Sequence, residues 1–137
     1  MGIVKAEITL KNTFDQMKAD EGSIPEKEIR TITLTALVDT GASTLVINEE
    51  VCRELGLAVK GTREVSLADN KKIQVKIVDP VEIHWKNRSM MCQPMVASDS
   101  GKILLGAIPL EAMDLIVDPL HQELIGAHGD NEVLWML

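Results

Sequence analysis

Apolar and polar positions alternate along most of this chain with a period of two, the spacing of half-buried strands rather than helices. Ala6, Ile8 and Leu10 alternate with Lys5, Glu7 and Thr9 in a first strand. Residues 12–28 are polar, contain Gly22 and Pro25, and read as a long loop or loose hairpin end. Ile32, Leu34 and Ala36 then alternate with Thr31, Thr33 and Thr35, and the run turns apolar on both faces at Leu37-Val38 before stopping at Asp39-Thr40-Gly41. After a short apolar run at 44–47, Asn48 is placed to cap a helix, with Glu49 and Glu50 in its first turn. That helix would bury Val51, Cys52 and Leu55 and end at Gly56.

The middle of the chain returns to strands. Val65-Ser66-Leu67 and Ile73-Gln74-Val75-Lys76-Ile77 flank the turn-rich tip Ala68-Asp69-Asn70-Lys71, the pattern of a β-hairpin. Val81-Glu82-Ile83-His84-Trp85 alternates again, Lys86-Asn87-Arg88 makes a turn, and 89–97 reads as one Met-rich strand. A turn at 98–101 leads to Ile103-Leu104-Leu105-Gly106, and Pro109 is placed to open a second short helix running through residue 114. Leu115-Ile116-Val117 and Glu123-Leu124-Ile125 bracket Asp118-Pro119 as a hairpin-like pair, and 132–137 reads as a last strand. Many short strands with two short helices predict an all-β barrel or sandwich, in one domain spanning residues 1–137.

Composition narrows the function. With 45% apolar residues but one Phe, no Tyr and two Trp, the core must be aliphatic. A net charge of −7, with Lys71-Lys72 as the nearest thing to a basic patch, argues against a nucleic-acid partner. No apolar run approaches the roughly 18 residues that span a bilayer, and residues 1–7 lack a basic stretch followed by an apolar one. The expectation is a cytoplasmic protein without a membrane segment, its Cys52 and Cys92 free thiols. His84, His121 and His128 show no ligand spacing, so neither a metal nor another cofactor is expected. Met90, Met91, Met95 and Met113 read as core filler.

Asp-Thr-Gly by itself is an ordinary turn. Here it closes a strand that is apolar on both faces, which predicts a buried Asp39, and the small residues Ala42 and Ser43 leave space above it. A second apolar-apolar-Gly element, Leu104-Leu105-Gly106, lies downstream, followed by a helix. In these two elements the chain resembles the retropepsin family, the retroviral-type aspartic proteases. Ala36-Leu37-Val38-Asp39-Thr40-Gly41-Ala42-Ser43 is similar to that family's active-site loop, and Leu104-Leu105-Gly106-Ala107 with residues 110–115 to its second signature. The resemblance runs from about residue 3 to about residue 125.

It implies an acid-protease closed barrel with one lobe per chain, and an aspartic endopeptidase acting on peptides or unfolded proteins. Asp39 would be the catalytic carboxylate. Gly41 would aim its N–H at a carboxylate oxygen, and Thr40 would bond across a twofold axis to the opposite loop. No other Asp of the chain precedes Thr/Ser-Gly, so the second carboxylate must come from another copy, which makes a homodimer a requirement. By resemblance, Leu37, Ala42, Val46 and Leu104 line the substrate pockets, and Ala68, Asp69 and Asn70 form the tip of a flap. Ala42 lacks a hydroxyl that would donate to the ionised carboxylate, which favours weakly acidic to neutral working conditions.

Two departures stand out. The flap tip has no glycine, which predicts a less pliable or differently shaped tip. Ser43 and Ala107 stand where retroviral members carry an acid and an Arg that pair near the dimer interface, so other contacts must hold the copies together, among them terminal segments with Ile3-Val4 and 133–137. The competing reading is a catalytically inactive dimer that binds extended peptides on the same fold.

Overall fold

In the computed structural model, which describes residues 3–97 and 101–129, the alternating segments become strands. β1 (Lys5–Asn12) pairs antiparallel with β2 (Thr31–Val38), from Lys5↔Leu37 to Lys11↔Thr31. Ile8, Leu10 and Ala36 enter the core, while Thr31, Thr33 and Thr35 stay in water.

The segment read as a loop between them contains a helix, α1 (Thr13–Asp20), and a 3-10 turn at Glu26–Glu28. The pattern of α1 is inverted: Phe14 and Met17 are 41% and 58% exposed, whereas Thr13 and Asp15 are buried. A search for an apolar face misses such a helix, and polar tethers hold it. Asn12 accepts from the Asp15 N–H at 3.0 Å and donates through Nδ2 to the Leu55 carbonyl at 2.8 Å. The Asp15 carboxylate accepts from the Arg30 backbone N–H, Nε and Nη2 at 3.0, 2.8 and 2.9 Å.

β3 (Leu45–Ile47) leads into α2 (Glu49–Glu54), which begins where Asn48 Oδ1 accepts from the Val51 N–H at 2.9 Å. It ends at Gly56, whose φ of +64° is the left-handed conformation that lets the Leu57 N–H turn back to the Cys52 carbonyl at 3.0 Å. The predicted hairpin is β4 (Val59–Ser66) with β5 (Lys72–Val78), and β6 (Val81–Trp85) pairs with β7 (Arg88–Cys92).

The Met-rich run is not one strand. It breaks at Gln93-Pro94, and β8 (Met95–Val96) joins another part of the sheet; Pro94 has no N–H to give to a ladder. Nor are the four methionines read as core filler all buried: Met113, further along the chain, is fully buried, Met90 and Met95 are half-buried, and Met91 is exposed.

β9 (Leu104–Leu105) is followed by α3 (Ala107–Ala112), which starts two residues before Pro109. Pro109 still lies in the first helical turn, where its missing N–H would have had no intrahelical partner. β10 (Leu115–Asp118) and β11 (Glu123–Gly126) form the expected hairpin as a separate two-stranded sheet. The expected last strand, at 132–137, and most of the turn at 98–101 lie outside the described residues.

Among the described residues, nine strands form one curled, half-barrel sheet in the order β4-β5-β8-β3-β9-β2-β1-β6-β7. Its concave side holds an aliphatic core of Ile8, Leu10, Leu45, Ile47, Leu55, Ile83 and Leu105, closed by α2, α3 and the β10–β11 pair. The architecture is all-β, with three short α-helices among the described residues where the pattern predicts two.

Candidate active site

β2 and β3 follow one another in the chain, yet they do not pair. β9 lies between them, parallel to β2 (Leu37↔Leu104, Val38↔Leu105) and antiparallel to β3 (Leu45↔Leu105, Val46↔Leu104). The chain from Val38 to Leu45 must therefore arch over the end of β9, and Asp39-Thr40-Gly41-Ala42-Ser43 is that arch.

Backbone hydrogen bonds brace it on both sides. The Asp39 N–H donates to the Leu105 carbonyl at 3.0 Å, and the Ala42 N–H closes a turn on the Asp39 carbonyl at 3.0 Å. From α3, the N–H groups of Ala107 and Ile108 donate to the carbonyls of Ala42 and Ser43, each at 2.9 Å. Gly106 passes directly beneath. A Cβ there would lie 2.4 Å from the Thr44 carbonyl oxygen and 2.6 Å from that of Ala42. The two sequence elements are thus one construction, the second forming the floor of the first.

Within the arch, the Gly41 N–H donates to Asp39 Oδ1 at 2.9 Å, and a Cβ at Gly41 would crowd the same oxygen at 3.1 Å. Asp39 is half-buried in the single chain, not buried as its strand predicts, and Thr40, Gly41 and Ser43 are exposed. The strands beneath are sealed, but the arch itself stands at the surface. Nearby, Cys92 lies against Thr44, and burial pushes its thiol up to about 11, which keeps it neutral. Burial likewise pushes the Cys52 thiol up, and both cysteines are free.

The apolar candidates form a row. Leu37, Leu104 and Val46 are register neighbours on β2, β9 and β3, so they share one face, opposite the face through which Ala36, Leu45 and Leu105 enter the core. Leu37 and Leu104 are half-buried and Val46 is buried. The row continues through Met95 on β8 and Ile77 on β5 (Val46↔Met95, Ile77↔Met95), both half-buried. Sequence reasoning missed these two, because the register of strands distant in the chain leaves no local signal.

Ala68, Asp69 and Asn70 sit exposed at the tip of the β4–β5 hairpin. Among the described residues no hydrogen bond joins them to the arch. The Leu67 N–H donates to the Lys71 carbonyl at 2.8 Å, and Asp69 Oδ1 accepts from the Lys71 N–H at 3.0 Å. Asn70, with φ of +67°, adopts the left-handed conformation that a glycine would otherwise supply. The tip is a defined turn despite lacking that residue.

Away from the arch, Asp118, His121 and Glu123 bring ligand-type atoms within 4.8 Å of one another on the β10–β11 turn. The Asp118 carboxylate already organises that turn. Its Oδ1 accepts from the Leu120 and His121 N–H groups at 3.0 and 3.3 Å, and its Oδ2 lies 2.7 Å from His121 Nδ1. No helix among the described residues is long and apolar enough to cross a membrane.

No curated protein matches the chain significantly. Residues 26–112, more than half of the chain and including both the arch and its floor, match the family model described as gag-polyprotein putative aspartyl protease, and the chain belongs to that retropepsin-like family.

Proposed function

We propose that the chain is one half of a homodimeric aspartic endopeptidase. The observation that carries this reading is the arch: a single carboxylate, Asp39, braced by backbone bonds to β9 and α3 in a chain of an aspartyl protease family. Water-activated peptide hydrolysis of this type needs two carboxylates, and Asp39 alone precedes Thr-Gly. A twofold axis between two arches supplies the second, because an isologous contact sets identical residues face to face.

Two carboxylates so close cannot both ionise, so the pair holds one shared proton. The ionised partner takes a proton from a bridging water, and the protonated one polarises the scissile carbonyl. The tetrahedral intermediate then collapses with proton donation to the leaving amine. Gly41 keeps its N–H on the carboxylate, and Thr40 bonds to the opposite arch. An extended peptide lies along the row of Leu37, Leu104 and Val46 beside Ala42, which favours apolar residues around the cut bond. The hairpin tip at Ala68, Asp69 and Asn70 closes over it.

The test is incubation of the protein and its Asp39→Asn variant with a diverse peptide mixture, read by mass spectrometry. Cleavage by the parent, with a loss of about a thousandfold or more in the variant, is the expected result. Silence from both, over a wide pH range and at concentrations that hold a dimer, would instead mark a peptide-binding module on the same fold.

A further inference from the structure

Resting on the protease reading above, we propose that Arg63 selects peptides that carry an acidic side chain at an outer position, several residues from the cut bond. The apolar row that begins beside the arch does not stop at Ile77. Ile77 pairs with Gly61 on β4, and the β4–β5 register continues with Arg63↔Val75 and Val65↔Ile73. Directly paired residues, and residues two apart on one strand, point to the same side of a sheet. Gly61, Arg63 and Val65 therefore share the face that carries Leu104, Val46 and Met95.

On this face of the hairpin, from Gly61 to Val65 and from Ile73 to Ile77, Arg63 is the one polar residue. Val75 opposite it is buried and Ile77 is half-buried, whereas Arg63 is exposed. At Gly61 nothing lies within 4 Å of the place a Cβ would take, so the row ends in open space beside Arg63. The other cations of the two strands are all paired: Lys60 with Asp79 at 3.1 Å, Lys72 with Glu64 at 3.5 Å and Lys76 with Glu49 at 2.9 Å. Arg63 makes no ion pair or hydrogen bond among the described residues. Glu64 follows it in the chain but lies on the opposite face, with Lys72.

A guanidinium left unpaired at the rim of an apolar face is matched by a carboxylate, which its planar fork binds through two parallel hydrogen bonds. Apolar neighbours keep water from one side of such a pair and so weaken its screening. Ile77 lies four strands along the row from Leu37, roughly 19 Å at the usual strand spacing and less across the curl of the sheet. At about 3.3 Å per residue, an extended peptide reaches Arg63 about three to six positions from the cut bond. A twofold dimer carries one Arg63 towards each end of the peptide, so the preference falls at matched positions on both sides.

The experiment uses the full chain and extended peptides with apolar residues at their middle, in which Glu, Gln or Lys is placed in turn at each outer position. The variants are Arg63→Gln, Arg63→Glu and, as a control, Lys72→Gln, which removes one positive charge from the opposite face of the same hairpin. The parent is expected to favour Glu over Gln about fivefold in kcat/KM. The difference should lie in KM, since a contact this far from the cut bond holds substrate and transition state alike. Arg63→Gln should lose the preference, Arg63→Glu should turn it towards Lys, and Lys72→Gln should keep it. Titration of the same labelled peptides against Asp39→Asn, read by fluorescence anisotropy, should give the same order of affinity. That measurement keeps the two readings apart, because a protein that binds the Glu peptides more tightly and never cuts them loses the protease reading while Arg63 keeps its role. A Glu preference absent from both cleavage and binding, unchanged in Arg63→Glu or lost equally in Lys72→Gln, or a failure to bind any of the peptides, overturns the inference.

Discussion

At Gly106 the backbone has a φ of −90°, which any residue adopts, so the demand for glycine is one of space rather than conformation. The atoms that a Cβ would strike are backbone atoms of Ala42 and Thr44, which cannot rotate away as a side-chain end can. Gly106→Ala should therefore lift the arch off β9 and cost about 3 kcal/mol in denaturant unfolding. Cleavage should drop further than the unfolded fraction explains, because the arch carries Asp39. A variant with parental stability would mean that the arch does not rest on this floor. Gly41 works on the same principle at closer quarters, where its missing Cβ leaves the Asp39 carboxylate room to take the Gly41 N–H.

At the scale of elements, α1 is the clearest case of a unit held by charge. The Arg30 side chain, foremost through its hydrogen bonds, holds the Asp15 carboxyl below the ordinary value of 3.8. A carboxyl depressed in the folded state contributes stability above its unfolded value, and that contribution is lost as pH falls through the folded one. Asp15 is buried while half of the Arg30 side chain is in water, so solvent screening trims the pair. Asp15→Asn should thus cost about 1–2 kcal/mol at neutral pH. The gap from the parent should close as pH drops below 3.8, where the parent's carboxyl is itself becoming neutral. Unfolding midpoints measured across pH check this, and a gap that stays constant into acid would assign the effect to packing.

For the whole molecule, the proposed division of the site between two copies would make activity a matter of mass action. Cleavage per mole of chain should rise with protein concentration and level off once the dimer is saturated. Each chain carries a net charge of −7, so two copies brought together as proposed would repel one another through water. Added salt screens that repulsion, so the rise should come at lower protein concentration as ionic strength increases. Initial rates over a dilution series at two salt concentrations test this. Specific activity independent of dilution, down to the lowest measurable concentration, would point to a site complete in one chain.

Local chemistry alone determined a good part of this protein. Period-two alternation determined β1 and β2, the turn-rich tip at 68–71 marked the β4–β5 hairpin, and Asn48 with Gly56 determined both ends of α2, because each depends on residues within a few positions. The Asp39 and Gly106 elements were legible for the same reason. Helix α1 was not, because its buried residues are polar and its apolar ones face water. The split of 89–97 into strands in different parts of the sheet was not, nor was the continuation of the apolar row through Met95 and Ile77. Register between distant segments is set by how all the strands close on one another. Only the tertiary structure decided that β9 inserts between β2 and β3. That insertion forces Asp39-Thr40-Gly41 into an arch over its end, since two consecutive strands held apart by a third must be bridged there.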